Sequence, residues 1–353
     1  MTSLSRLRDA IRAPAPDAAL DARRHLDSLT KPPGSLGRIE QIAVRLAALR
    51  GGAPRVDAPV VFVFAADHGV AAEGVSAYPQ VVTAQMVENF LHGGAAINVL
   101  ARQAGARVVV ADFGVAGPMP GAPGLVSCRI GAGTASMARG PAMTREQALL
   151  AIERGAALAE EAIAGGADLI ATGEMGIGNT TAAAAITAAI VGERIETVTG
   201  RGTGIDEATW RRKVETIGAA LRVNRPDPAD GVDVLAKVGG FEIAGLVGVI
   251  LAGAAKSVPV VLDGFISTAA ALVAVSLAPD ARHALFASHR SAEPGHAVAL
   301  THLQLAPYLH LSLRLGEGSG AALFIHLARA AALIYREMAT FKSAGVSTAE
   351  SEP

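Results

Sequence analysis

The stretch Gly173-Glu-Met-Gly-Ile-Gly-Asn-Thr-Thr181 gathers more chemically useful groups than any other part of the chain. It follows the apolar run 167–172 and precedes an alanine-rich segment that ends near Val191. This pattern predicts a buried strand, a tight glycine turn and the first turn of a helix. Glycines let the backbone approach a ligand closely. Backbone N–H groups at a helix start, with the hydroxyls of Thr180 and Thr181, form an anion cradle. Glu174 adds a carboxylate that a plain phosphate clamp does not need. The mixture points to a substrate that carries a phosphate and also a group that exchanges a proton. P-loop chemistry is disfavoured, because Asn179 precedes the threonines and the turn has no lysine. The plain alternative is a connection whose glycines only let the helix pack close to the sheet.

A second constellation is Arg314-Leu-Gly-Glu-Gly-Ser-Gly320. Glu317 sits between glycines just before a long helical pattern, for which Ser319 is the expected N-cap. In a dry crevice such a carboxylate serves as a general base. In a wet one it is an ordinary helix-start acid favoured by the macrodipole. Thr199-Gly-Arg-Gly-Thr-Gly204, followed by Asp206 and by a helix containing Lys213, is a candidate phosphate site. It is a weak dinucleotide fingerprint, since no strand precedes it and the spacing is wrong. Asp67-His68-Gly69 and Ser288-His-Arg-Ser-Ala-Glu293 lack metal-ligand spacing, and their histidines read as structural hydrogen-bonding groups. Ser291 could donate to a phosphate. Glu88 lies on a helix 82–91 that follows a strand-end loop, facing either solvent or the crevice.

These groups need a frame, and the chain supplies one. Short β-branched runs at 60–64, 107–111, 167–172, 258–262 and 283–287 each end abruptly in polar or glycine residues. Helical stretches such as 82–104, 144–164 and 240–254 lie between them. Alternation of this kind predicts an α/β fold, a Rossmann-like mostly parallel sheet flanked by helices. Ligands of such sheets sit beyond the carboxyl ends of the strands, where every cluster named above falls. The ends of the chain read as helices at 4–12, 18–29, 38–50 and 319–341, with no strand pattern before residue 50. We expect a small helical domain built from 1–55 plus 300–342, a large α/β domain at 56–299 and a disordered tail at 343–353.

At 353 residues the chain can bury a large core. Hydrophobic residues make up 51%, a figure raised by alanine and glycine, while aromatics contribute only 4%. No apolar run reaches the ~20 residues of a membrane span. The N-terminus lacks an apolar signal core, and the single Cys128 permits no internal disulfide, so a cytoplasmic protein is expected. The net charge of −1 and the absence of a long basic run argue against a nucleic-acid partner.

Taken together, and in their order, these segments resemble the nicotinate-nucleotide–dimethylbenzimidazole phosphoribosyltransferases of cobalamin biosynthesis. The likeness spans nearly the whole chain. It rests on 29–37 (LTKPPGSLG), 65–70 (AADHGV), 173–181, 199–204, 263–266 (DGFI), 288–293 and 315–320. It implies phosphoribosyl transfer from nicotinate mononucleotide to 5,6-dimethylbenzimidazole by a homodimer that uses no metal or cofactor. Glu317 is then the base that takes the azole proton, and Glu174 favours the oxocarbenium-like transition state. Gly176, Ile177, Gly178, Asn179, Thr180, Thr181, Gly202, Lys213 and Ser291 are expected around the nucleotide and its phosphate. Gln80, Glu88, Met175 and Leu315 are expected around the benzimidazole. The rival reading is an azole- or nucleoside-binding protein without turnover. Its weakness is that a binder has no use for a base.

Overall fold

The computed structural model describes residues 3–117, 119, 123–202 and 204–347. Six strands form one parallel sheet: β1 (Pro59–Ala66), β2 (Arg107–Gly114), β3 (Leu125–Ser127), β4 (Leu169–Met175), β5 (Val260–Leu262) and β6 (Leu285–Ala287). Their order is β3-β2-β1-β4-β5-β6. The direction of progression reverses between β1 and β4, where Val63 lies opposite Gly173. A crevice opens at such a reversal, beyond the carboxyl ends of the two strands. All eight residues of β1 are buried, so helices cover both faces of the sheet.

The alanine and glycine content has a packing purpose. Helices Arg145–Ala164 and Phe241–Ala255 cross so closely that a Cβ on Gly155 would fall 1.9 Å from the carbonyl oxygen of Gly245. One on Gly248 would fall 2.0 Å from that of Ile152. With backbones in contact there is little room for large side chains between these two helices. The chain therefore builds much of its helical core from small residues.

The terminal helices Ala18–Asp27 and Arg38–Arg50 pack on each other, and Ser319–Glu337 packs on the latter. The first helix, Ser3–Ala10, packs instead on Arg145–Ala164 and Phe241–Ala255. No helix among the described residues is long and apolar enough to cross a membrane.

Several expected elements differ in detail. The stretch 82–104 is two helices, Val82–Leu91 and Ala96–Ala104, separated at Gly93 and Gly94. The last long helix ends at Glu337, and Phe341–Ala344 forms a separate short one capped by Thr340. Ser343 and Ala344, expected in the tail, belong to that turn, while 348–353 lie outside the described residues. Strand β3 was not expected, because three residues at the sheet edge, none of them buried, leave no periodic signal.

Gly155→Ala should lower the chemical-denaturation free energy by about 1–3 kcal/mol, the usual size of overpacking where neither backbone can yield. An unchanged denaturation midpoint would mean that these helices separate easily.

Candidate active site

Two strand ends and one loop bring the carboxylates together. Glu174 is the next-to-last residue of β4, and Asp263 follows β5 directly. Asp263 is 1% exposed and reaches across to the start of helix Ser319–Glu337. Its Oδ1 accepts from the N–H groups of Gly320 (2.7 Å) and Ala321 (3.1 Å), and its Oδ2 from that of Gly318 (3.2 Å). This corrects the expectation for Ser319. The N-cap position is Gly318, and the buried hydroxyl of Ser319 has no partner. Asp263, more than fifty residues earlier in the chain, supplies the capping oxygens instead.

The cap fixes a sharply turned loop. Gly316, Glu317 and Gly318 have φ of 82°, 65° and 90°, three successive left-handed residues of which the middle one is not glycine. A non-glycine residue persists in that region only when its surroundings impose it. Here the Glu317 N–H donates to the carbonyl of Glu174 (3.3 Å), which ties the loop to β4. A Cβ at Gly173 would lie 2.4 Å from the Glu317 carbonyl oxygen, and one at Gly316 would lie 2.4 Å from Glu174 Oε1. Only glycine at both positions allows this approach. The carboxylate of Glu317 accepts from the N–H of Ile97 (3.3 Å), in the first turn of helix Ala96–Ala104.

Burial dominates the electrostatics. It pushes Glu174 up to about 8, reinforced by the charges of Asp263, Glu242 and Glu317 and opposed by the amide of Asn179, which donates to its Oε2. Burial likewise pushes Asp263 up to about 7 against its three N–H bonds, and raises Glu317 against the single bond from Ile97. Beneath the turn, His68 Nε2 and Glu242 Oε1 lie 2.6 Å apart in full burial. A Cβ at Gly176 would press on both. His289 and His296 are held near 4 and 3 by burial and stay neutral, in agreement with a structural role.

On another wall of the crevice, Lys213 is 1% exposed and donates to Thr180 Oγ1 (2.8 Å), at the start of helix Asn179–Val191. Burial pulls the Lys213 ammonium down to about 8, with Glu293 opposing. Glu293 Oε1 accepts from the N–H of Gly202 (2.8 Å), and the Glu293 N–H donates to Ser291 Oγ (3.3 Å).

A cavity of about 100 Å³ joins these walls. Of the residues expected at the site, Glu174, Met175, Gly176, Ile177, Asn179, Thr180, Gly202, Ser291 and Leu315 line it. Glu317, Lys213, Gly178 and Thr181 are outside the lining; Glu317 and Lys213 are bonded to its edges through Glu174 and Thr180, and Gly178 and Thr181 belong to the turn itself. Gln80 and Glu88 are solvent-exposed and do not line it, although Thr83, on the helix that bears Glu88, accepts from the Ile177 N–H (3.2 Å). Asp263, Glu242, Glu293 and Arg314 were given no individual role by the sequence. The signal available for Glu242 was its place in the first turn of an otherwise apolar helix. Larger cavities, of about 930 Å³ beside Lys31–Pro33, about 620 Å³ beside Met143 and about 510 Å³ beside Arg45, contain no buried carboxylate. One of about 440 Å³ adjoins the site and shares Ser291 and Glu293 with it but not Glu174. The geometry therefore favours the smaller one. It brings the N–H groups at the start of helix Asn179–Val191 and the buried Lys213 together with the buried Glu174, and Glu317 lies just behind the lining. Such an arrangement suits group transfer from a phosphorylated substrate to a protic acceptor.

The comparisons with known proteins agree with that class. Residues 11–346 match a family model described as phosphoribosyltransferase. The chain is 58% identical over 331 residues to the nicotinate-nucleotide–dimethylbenzimidazole phosphoribosyltransferase of Chloroflexus aggregans, covering 94% of each chain. It is 56% identical over 353 residues to that of Desulforamulus reducens, covering 98% and 99%. The crystal structure of the enzyme so named from Thermus thermophilus superposes with a TM-score of 0.89 at 51% identity, covering 94% of this chain and 99% of that one. The chain belongs to this family of phosphoribosyltransferases and is a pentosyltransferase.

The raised Glu174 has a sign that can be checked. The folded state binds a proton more tightly than the unfolded state, so this group's contribution to stability is full below about 4.5 and declines as pH rises through about 8. Glu174→Gln, which keeps the shape without the charge, should denature at higher denaturant than wild type at pH 9. The difference should shrink as pH falls toward 5. A difference independent of pH would place the Glu174 titration elsewhere.

Proposed function

We propose that the chain transfers the phosphoribosyl group of nicotinate mononucleotide to 5,6-dimethylbenzimidazole, giving α-ribazole 5′-phosphate and nicotinate for the lower ligand of cobalamin. The observation that carries this reading is the back-to-back placement of Glu174 and Glu317 beside a cavity whose other wall is the Thr180–Lys213–Gly202 anion site. The names of the relatives support it.

In this reading the phosphate lies on the N–H groups at the start of helix Asn179–Val191, with Thr180, Gly202 and Ser291, and Lys213 supplies positive charge behind them. The azole enters beside Met175 and Leu315. Glu317 takes its N–H proton as the other ring nitrogen forms a bond to C1′. The C1′–pyridinium bond breaks at the same time, and its electron pair leaves with nicotinate as a neutral ring nitrogen. Attack opposite the leaving ring inverts C1′ from β to α. Glu174 holds its proton near neutrality in the free enzyme, and a bound pyridinium cation favours the ionised form. Its charge then develops where C1′ becomes cationic. Gln80 and Glu88 form part of the outer rim of the azole pocket. Of the segments 1–55 and 300–342, the helices Ala18–Asp27, Arg38–Arg50 and Ser319–Glu337 act as a lobe carrying one side of the crevice, and the working form is a cytoplasmic homodimer with small-molecule partners only.

Incubation with nicotinate mononucleotide and 5,6-dimethylbenzimidazole should release nicotinate and α-ribazole phosphate in equal amounts. Glu317→Gln should still bind the nucleotide but lose roughly two to four orders of magnitude in rate, the usual range of a general-base contribution. Folded wild-type protein that turns over neither this azole nor plain benzimidazole would support a binding protein instead. A near-normal rate for Glu317→Gln would remove that residue from the base role.

A further inference from the structure

Nicotinate mononucleotide has two anionic groups, the phosphate and the carboxylate on its pyridine ring. The function proposed above gives the first a cation, Lys213, and leaves the second without one. A carboxylate entering a partly desolvated crevice lined by other carboxylates needs a counter-charge.

Arg314 lines the same cavity, three residues before Glu317 on the same loop. The other ionisable side chains on that lining are Glu174, Glu293 and His289. His289 is held neutral by burial, so Arg314 is the one permanent cation on the lining among the described residues. It is exposed, as expected of a group at the mouth through which a leaving ring must depart. Among the described residues its guanidinium has neither a hydrogen bond nor an ion pair, although most arginines of this chain have at least one such partner. A guanidinium offers paired N–H donors that match the two oxygens of a carboxylate, a geometry that a neutral amide meets poorly.

Building on that function, we infer that Arg314 is a specificity-determining residue, pairing with the pyridine carboxylate and selecting nicotinate mononucleotide over nicotinamide mononucleotide. The two nucleotides differ in charge at that one substituent. The loop that carries the proton acceptor for the incoming azole thus also holds the leaving ring.

The test is kcat/KM for both nucleotides at saturating 5,6-dimethylbenzimidazole, in wild type, Arg314→Gln, Arg314→Lys and Arg290→Gln. Arg290 is the natural control, since it is exposed and lines the adjoining cavity with Ser291 and Glu293. Wild type should prefer the nicotinate nucleotide. Arg314→Gln should reduce that preference by about ten- to hundredfold, the range expected for a lost charged hydrogen bond. Arg314→Lys should retain part of the preference, and Arg290→Gln all of it. Product inhibition by nicotinate should weaken in Arg314→Gln far more than inhibition by nicotinamide. Rising salt should erode the wild-type preference, because the pair is exposed.

A wild type that treats the nucleotides alike would overturn the assignment. So would an Arg314→Gln variant that loses equally with both, which would make Arg314 a structural support, or a collapse of preference in Arg290→Gln instead. Absence of turnover with either nucleotide is a different failure, of the enzyme reading itself, and the inference would fall with it.

Discussion

The site depends on one carboxylate that is not expected to do chemistry. Asp263 leaves the end of β5 and accepts three backbone N–H groups at the start of helix Ser319–Glu337. Those donors are orphaned by helix geometry, and the residue at the N-cap, Gly318, has no side chain to satisfy them. Because the cap comes from the sheet, it also sets where the helix begins relative to the strands. The loop before it must then pass through three left-handed residues, and Glu317 is brought against β4. Gly173 and Gly316 permit the contact; Asp263 enforces it.

The same arrangement concentrates like charge. Glu174, Glu242, Asp263 and Glu317 are all nearly fully buried, and three of the four are pushed upward mainly by that burial. Such a cluster is unfavourable by itself, and in the function proposed above the positive pyridinium ring of the nucleotide offsets it. Binding and the chemistry proposed for the site then draw on the same electrostatic imbalance.

Much of the frame is legible in the sequence because its signals are local. β1, β2 and β4 announce themselves as β-branched runs that stop at polar residues, and helix Arg38–Arg50 has the bounds its periodicity gives. The loop at 314–320 is visible for the same reason, as is the glycine turn before helix Asn179–Val191, although β4 runs on through Gly173 and Glu174 to Met175 and the turn is only Gly176–Gly178. What was missed is non-local. A cap supplied from more than fifty residues away replaces the expected Ser319, and no spacing rule connects Asp263 to Gly320. The strand order is likewise a property of pairing, which single runs do not encode. The helix bearing Glu88 is correct, but its buried face runs through Thr83, Val87 and Phe90, which turns Glu88 toward solvent, and Gln80, just before the helix, is exposed as well. Periodicity gives a helix its faces without saying which one the crevice takes.

The central claim is that Asp263 acts through Glu317. It is tested most directly by a double-mutant cycle on the single-turnover rate, using Asp263→Ala, Glu317→Gln and the pair, each shown to be folded. If the cap exists to place Glu317, the base proposed above, Asp263→Ala will slow wild type severely and slow the Glu317→Gln background far less, a coupling well beyond the ~0.5 kcal/mol of independent sites. Additive losses would show that Asp263 contributes by some route other than positioning Glu317, and would contradict the dependence of Glu317 on the cap.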